Sequence, residues 1–205
     1  MHPNPAFRQT PEDRNLAFAR ERGFGVLALA GDEPLLSHVP FLLAEDGSHA
    51  DLHLVRSNPI ARAGGGNAVI AVSGPDGYVS PDWYEVPDQV PTWNYVAVHL
   101  CGVLAPLPVE SLSDLIDRQS AFFEEKLRPK PPWTAAKMSE GVKEKMMRAI
   151  LPFRLSIETI DGTWKLNQNK DDAVRMKAAA AIQNGVGSEL GALAELMNHP
   201  PKGEI

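Results

Sequence analysis

Alternation of apolar and polar positions dominates the first hundred residues. Phe24 to Ala30 is a short apolar run, followed by a turn at Gly31-Asp32-Glu33-Pro34. Leu35 to Leu43 predicts a second strand, closed by Glu45-Asp46-Gly47. From Ala50 to Arg56 the period is two, with Leu52, Leu54 and Arg56 on one face and His53 and Val55 on the other. Ala68 to Ser73 and Tyr95 to Leu104 read as further strands, the latter with Val96, Val98, Leu100 and Leu104 on one side. Phe153 to Ile160 returns to alternation. Asp161-Gly162 then predicts a turn, and Trp164-Lys165-Leu166 a last strand.

Helical spacing appears between and after these strands. Thr10 is a candidate N-cap, Pro11 suits the first helical position, Asp13 can close a capping box, and Gly23 ends the helix. Asn58-Pro59 breaks the third strand ahead of a short helix at Ile60 to Ala63, which Gly64-Gly65-Gly66 terminates. Leu112, Leu115, Ile116, Gln119, Phe122, Phe123 and Leu127 make Val109 to Leu127 amphipathic, until Pro129, Pro131 and Pro132 stop it. Further helices are predicted over Ser139 to Ile150, Asp171 to Gln183 and Ser188 to Met197. Short strands closed by tight turns, with helices inserted and appended, predict a mainly β chain of the α+β class built on a small antiparallel barrel. A doubly wound parallel sheet is disfavoured, because no regular helix separates successive strands. The expected organisation is one barrel domain over residues 1–170, with a helical insertion at about 109–150, and C-terminal helices over 171–205 that pack on the barrel or on a dimer partner.

Charge changes the picture only slightly. The 205 residues carry a net charge of −6, which argues against a generic nucleic-acid surface. The single cysteine, Cys101, rules out an internal disulfide and a cysteine zinc site. Met1-His2-Pro3-Asn4-Pro5 has neither the basic nor the apolar region of a secretory signal, and no apolar run approaches membrane-spanning length. The cytoplasm is the expected compartment.

The densest candidate chemistry is Tyr78-Val79-Ser80-Pro81-Asp82-Trp83-Tyr84 with Pro91-Thr92-Trp93-Asn94-Tyr95. Aromatic rings beside a few fixed polar groups suit a flat, partly polar ligand, and equally suit a loop that seals one end of a sheet. Arg56-Ser57-Asn58 ends a strand just before a helix. It offers a guanidinium, a hydroxyl and backbone N–H groups to a phosphate, or forms a solvated Asx-Pro turn. Trp164-Lys165-Leu166-Asn167-Gln168-Asn169-Lys170 sets three amides between lysines, able to read a ring edge or simply to cap the next helix. His38, His53 and His99 fall on predicted strands, where a metal or heme iron could use them, but no close metal-ligand spacing recurs. No G-x-S-x-G, P-loop or G-x-G-x-x-G is present, and no residue stands out as a catalytic acid or base. A helix-turn-helix reading of the last two helices founders on Ser188 to Met197, which holds two Glu and no Lys or Arg.

Taken together, His38-Val39-Pro40-Phe41, Arg56-Ser57-Asn58-Pro59, the two aromatic blocks and Trp164-Lys165-Leu166-Asn167-Gln168-Asn169 occur in an order that resembles the PaiB-type FMN-binding negative transcriptional regulators, as far as about residue 180. The resemblance implies an FMN-binding split β-barrel, similar to pyridoxamine 5′-phosphate oxidases and flavin reductases, with flavin at a homodimer interface. It places Arg56, Ser57 and Asn58 at the phosphate, Trp93 and Asn94 near the isoalloxazine, and Lys165, Gln168 and Asn169 in the closing motif. Asn167 departs from the Ser of the family's K-L-S-Q-N pattern. The implied activity is that of a flavin-dependent oxidoreductase or flavin reductase. The alternatives are a flavin- or redox-responsive negative regulator, for which direct DNA binding gains no support from charge, and a heme-binding barrel.

Overall fold

A computed structural model describes residues 1–201. The chain order is α1 (Glu12–Arg22), β1 (Phe24–Leu29), β2 (Leu35–Leu43), β3 (His49–Val55), α2 (Pro59–Ala63), β4 (Gly66–Val79), β5 (Thr92–Pro106), α3 (Leu112–Glu125), α4 (Val142–Met147), β6 (Ile150–Lys165), α5 (Asp172–Ile182), β7 (Gly187–Ser188) and α6 (Leu190–Asn198). The sheet order is β1-β2-β3-β6-β5-β4-β7, and β1 also pairs antiparallel with β4. That second pairing closes six strands into an antiparallel barrel, which leaves no free edge among them. This is the expected α+β barrel.

The closure is built into the residue pattern. Along β5 the inward positions Asn94, Val96, Val98, Leu100, Gly102 and Leu104 are buried, while Trp93, Tyr95, Ala97, His99, Cys101 and Val103 are exposed or half-exposed. Gly102 is required by close approach: a Cβ there would lie 1.9 Å from the Ser156 carbonyl oxygen. β3 and β6 pair antiparallel with Asp51 opposite Arg154. The Asp51 side chain is only 3% exposed, takes Arg154 in two hydrogen bonds of 2.7 and 3.0 Å, and is reached by Arg118 from α3. Burial alone would push this carboxyl up, but the guanidiniums of Arg154 and Arg118 hold it below the ordinary value.

The sequence reading differs from the structure at two strands: β4 runs on to Val79 rather than ending at Ser73, so the first aromatic block begins inside it, and β6 is longer than expected. No turn forms at Asp161-Gly162, and β6 runs unbroken from Ile150 to Lys165. Gly162 is there because Asn15 of α1 crosses it: a Cβ would meet the Asn15 side chain at 2.2 Å. The Asn15 Oδ1 in turn accepts a hydrogen bond of 2.7 Å from the buried Trp164 indole. The predicted second insertion helix is also shorter, Val142–Met147 rather than Ser139 to Ile150.

The chain forms two compact units. One comprises Met1–Phe18, Val72–His99 and the chain from Ile160 onward; the other comprises Ala19–Ala71 and Leu100–Thr159. In the first, α5 and α6 pack through Ala178, Ile182, Leu193 and Met197 onto Val79, Tyr84 and Trp164. The linker between these helices is pinned as β7, with Gly187 and Ser188 paired to Gly77 and Asp76. In the second, α2 packs on β2 and β3, and α3 lays Leu112, Leu115 and Gln119 toward the sheet.

Candidate functional site

Five of the residues read from the sequence fall in the first unit. Trp93 is 43% exposed at the start of β5 and stands edge-on to Tyr78, with ring centroids 6.4 Å apart. Its indole N–H donates to Asp76 at 3.0 Å, which fixes the ring plane. Tyr78 is itself 38% exposed, so two large aromatic faces are left open side by side. The other aromatics of these blocks have a different role. Tyr84 is fully buried and Trp83 half-buried against the α5–α6 core.

Lys165 ends β6 beside this pair. Its ammonium donates to the Thr92 hydroxyl and, at 2.9 Å, to the Trp93 carbonyl. Half-burial pushes its pKa down, and among the described residues it has no carboxylate partner. A half-buried ammonium served only by neutral oxygens can be stabilised further by an anion or an electron-rich ring edge.

The amides after it divide by task. Gln168 folds back, with its Oε1 accepting from the Leu166 N–H at 2.8 Å and its Nε2 donating to the Trp164 carbonyl, so it clamps the turn. Asn167 is buried in left-handed conformation with φ 62°, and donates to the Tyr84 hydroxyl at 3.0 Å. Asn is among the few side chains that enter this region readily, which gives a physical reason for its presence where Ser was expected. Asn169 is exposed. Asn94 is fully buried on the inward face of β5, and both of its amide atoms lack a partner. Strand alternation places this amide inside the barrel but carries no information on its partners.

Arg56, Ser57 and Asn58 belong to the second unit, at the end of β3. Arg56 is exposed and donates through Nε to the Arg148 carbonyl at 2.7 Å, which orients the guanidinium and leaves its terminal nitrogens open. Ser57 is exposed. Asn58 is spent on structure: its Oδ1 caps α2 at the Ile60 N–H, 2.9 Å away, and its Nδ2 donates to Ser37 at 3.0 Å. The strand histidines stand apart from these sets. His38 is exposed and stacks on Phe24, while burial lowers the pKa of both His53 and His99. Among the described residues no group of three His, Cys, Asp or Glu converges as a metal site.

A closed six-stranded antiparallel barrel with inserted and terminal helices is the architecture of the flavin-binding split barrels. Comparison with known proteins agrees. A family described as "Putative FMN-binding domain" matches residues 1–159, and the chain belongs to it. Its cofactor is accordingly a flavin, FMN by the family. The chain is similar to the protease synthase and sporulation protein PAI 2 of Bacillus subtilis, at 29% identity over 97% of both chains. In fold it is similar to an FAD and heme binding protein from Mycobacterium smegmatis, with TM-score 0.55 and 20% identity, covering 88% of this chain and 82% of that one. It is also similar to the flavocytochrome Anf3 of Azotobacter vinelandii, with TM-score 0.57 and 15% identity, covering 80% and 72%. Among the described residues no helix is long and apolar enough to cross a membrane.

Proposed function

We propose that the chain binds FMN as a flavin-dependent oxidoreductase-like protein, and that Lys165 is the observation that carries the reading. Bound flavin supplies reversible electron exchange; the protein supplies binding, orientation and electrostatics. Lys165 offers positive charge to the electron-rich edge of the ring, and Trp93 with Tyr78 offers apolar faces. Gln168 holds the backbone of the closing motif, and Asn169 stands free to contact the ligand. Asn94, whose two amide atoms lack a partner, is assigned to the ring side of the same site. Arg56 and Ser57 are assigned to the phosphate, with Asn58 shaping their turn. Each set is assigned on the contacts within its own unit. The outward, half-apolar face of β5 supports a homodimer.

FMN titration of the purified protein, followed by removal of excess, tests this. The native chain should retain the flavin absorption bands, and Lys165→Met should weaken binding by roughly tenfold or more, the equivalent of one charge-assisted contact. Equal retention by both proteins would remove Lys165 from the site. Oxidation of a nicotinamide dinucleotide by the loaded protein then tests the oxidoreductase reading.

A second reading, a regulator that contacts nucleic acid, has one observation in its favour. Residues 126–148 carry seven Lys and Arg against two Glu in an otherwise acidic chain. Three of those cations are already matched, by Glu124, Glu125 and Asp117, which leaves a modest patch. A mobility shift on duplex DNA that disappears with added salt would establish the contact.

A further inference from the structure

The helical insertion holds a cavity that the flavin reading does not use. It lies among α3, α4 and the segment joining them, with a volume of about 330 Å³. Its walls are Ile116, Trp133, Met138, Met146, Met147 and Ile150. The one charged pair that reaches it among the described residues is self-neutralising: Lys143 Nζ lies 2.7 Å from both Asp117 oxygens. The cavity therefore presents no unmatched charge, and a charged ligand would find no partner in it.

Three further observations separate this space from ordinary looseness. The space is half-open rather than an enclosed void, and its volume exceeds that of an apolar cavity of about 150 Å³, which already takes up benzene. Met146 and Trp133 are 63% and 38% exposed, so large apolar groups are left in water beside an apolar cavity. Trp133 also lines a second cavity of about 360 Å³ with Ser120, Ala121 and Pro132, so it borders both spaces. The Trp133 backbone N–H is held by Glu124 at 2.8 Å, which anchors the chain while the ring remains a side-chain rotamer.

We propose that this cavity binds a small neutral aromatic molecule of one or two fused rings. Trp133 forms the stacking wall, and Met138, Met146 and Met147 supply adaptable thioether contacts to the ring edge. The lining lies wholly within residues 100–159, and none of its residues is assigned to the flavin.

Indole is a suitable probe, with binding followed by ¹³C-methyl methionine NMR of the full chain without added flavin. The methyl resonances of Met138, Met146 and Met147 should shift saturably, and those of Met1, Met176 and Met197 should not. Ala135→Leu, which fills the lining, should weaken binding at least tenfold, as should Trp133→Ala at a partly exposed position that the fold tolerates. Absence of saturation, or all six methyls moving together, overturns the proposal. So does unchanged indole affinity in either folded variant.

Discussion

At the scale of single residues, two buried polar groups carry more than their surroundings suggest. Asn167 combines a left-handed backbone with a hydrogen bond to Tyr84. Asn167→Ala should cost about 2 kcal/mol in denaturant unfolding, because it loses both, while Asn167→Gly should recover the backbone part alone. Equal losses in the two variants would show that φ contributes nothing. Asp51 sets an acid limit. Its folded carboxyl titrates below the ordinary 3.8, so its contribution is complete above about pH 4 and is lost as pH falls through the folded value. Asp51→Asn should therefore be less stable at neutral pH, with a flatter stability profile between pH 4 and 2. A parallel profile for variant and native chain would assign the acid limit to other carboxylates.

At the scale of elements, α6 covers a core. Leu193 is fully buried in the cluster that includes Tyr84, Trp164 and Ile182. Leu193→Ala should destabilise by about 3 kcal/mol in a chemical melt, and a loss below 1 kcal/mol would place α6 outside the cooperative core. Most elements were legible in the sequence, since strand alternation and the apolar stripe of α3 are local signals. The exception is instructive. Asp161-Gly162 carries the local signature of a turn, yet the glycine serves a contact with Asn15, nearly 150 positions earlier in the chain. Likewise the aromatic blocks announce rings but not their fate: only contacts show that Tyr84 fills a core while Tyr78 and Trp93 remain open. The cavity of the insertion had no sequence signal beyond scattered methionines, because volume is a property of packing.

At the scale of the whole molecule, the expectation is pairing. The outward positions of β5 leave Trp93, Tyr95, Ala97 and Val103 partly in water. Light scattering on the purified chain should give twice the 22.3 kDa chain mass, and replacing Trp93 and Val103 by Lys should move the population toward one copy. A single-copy mass for the native chain at micromolar concentration would remove the dimer from the functional reading. The family and its flavin were legible from ordered motifs, whereas the division of labour within the closing motif was not. Gln168 and Asn58 make hydrogen bonds to the Leu166 and Trp164 backbone and to the start of α2 that their sequence neighbourhood does not announce.

The first unit has one more consequence, for the order of events during synthesis. It is assembled from three stretches that are far apart in the chain, and its core closes only when α5 and α6 arrive. Such long-range closure is slow, because the entropy of the intervening loops is lost before any contact rewards it. A ribosome must release nearly all of the chain before Val79, Tyr84 and Trp164 can be covered. Until then these side chains stay open to water, and a pause in translation after β6 would prolong their exposure.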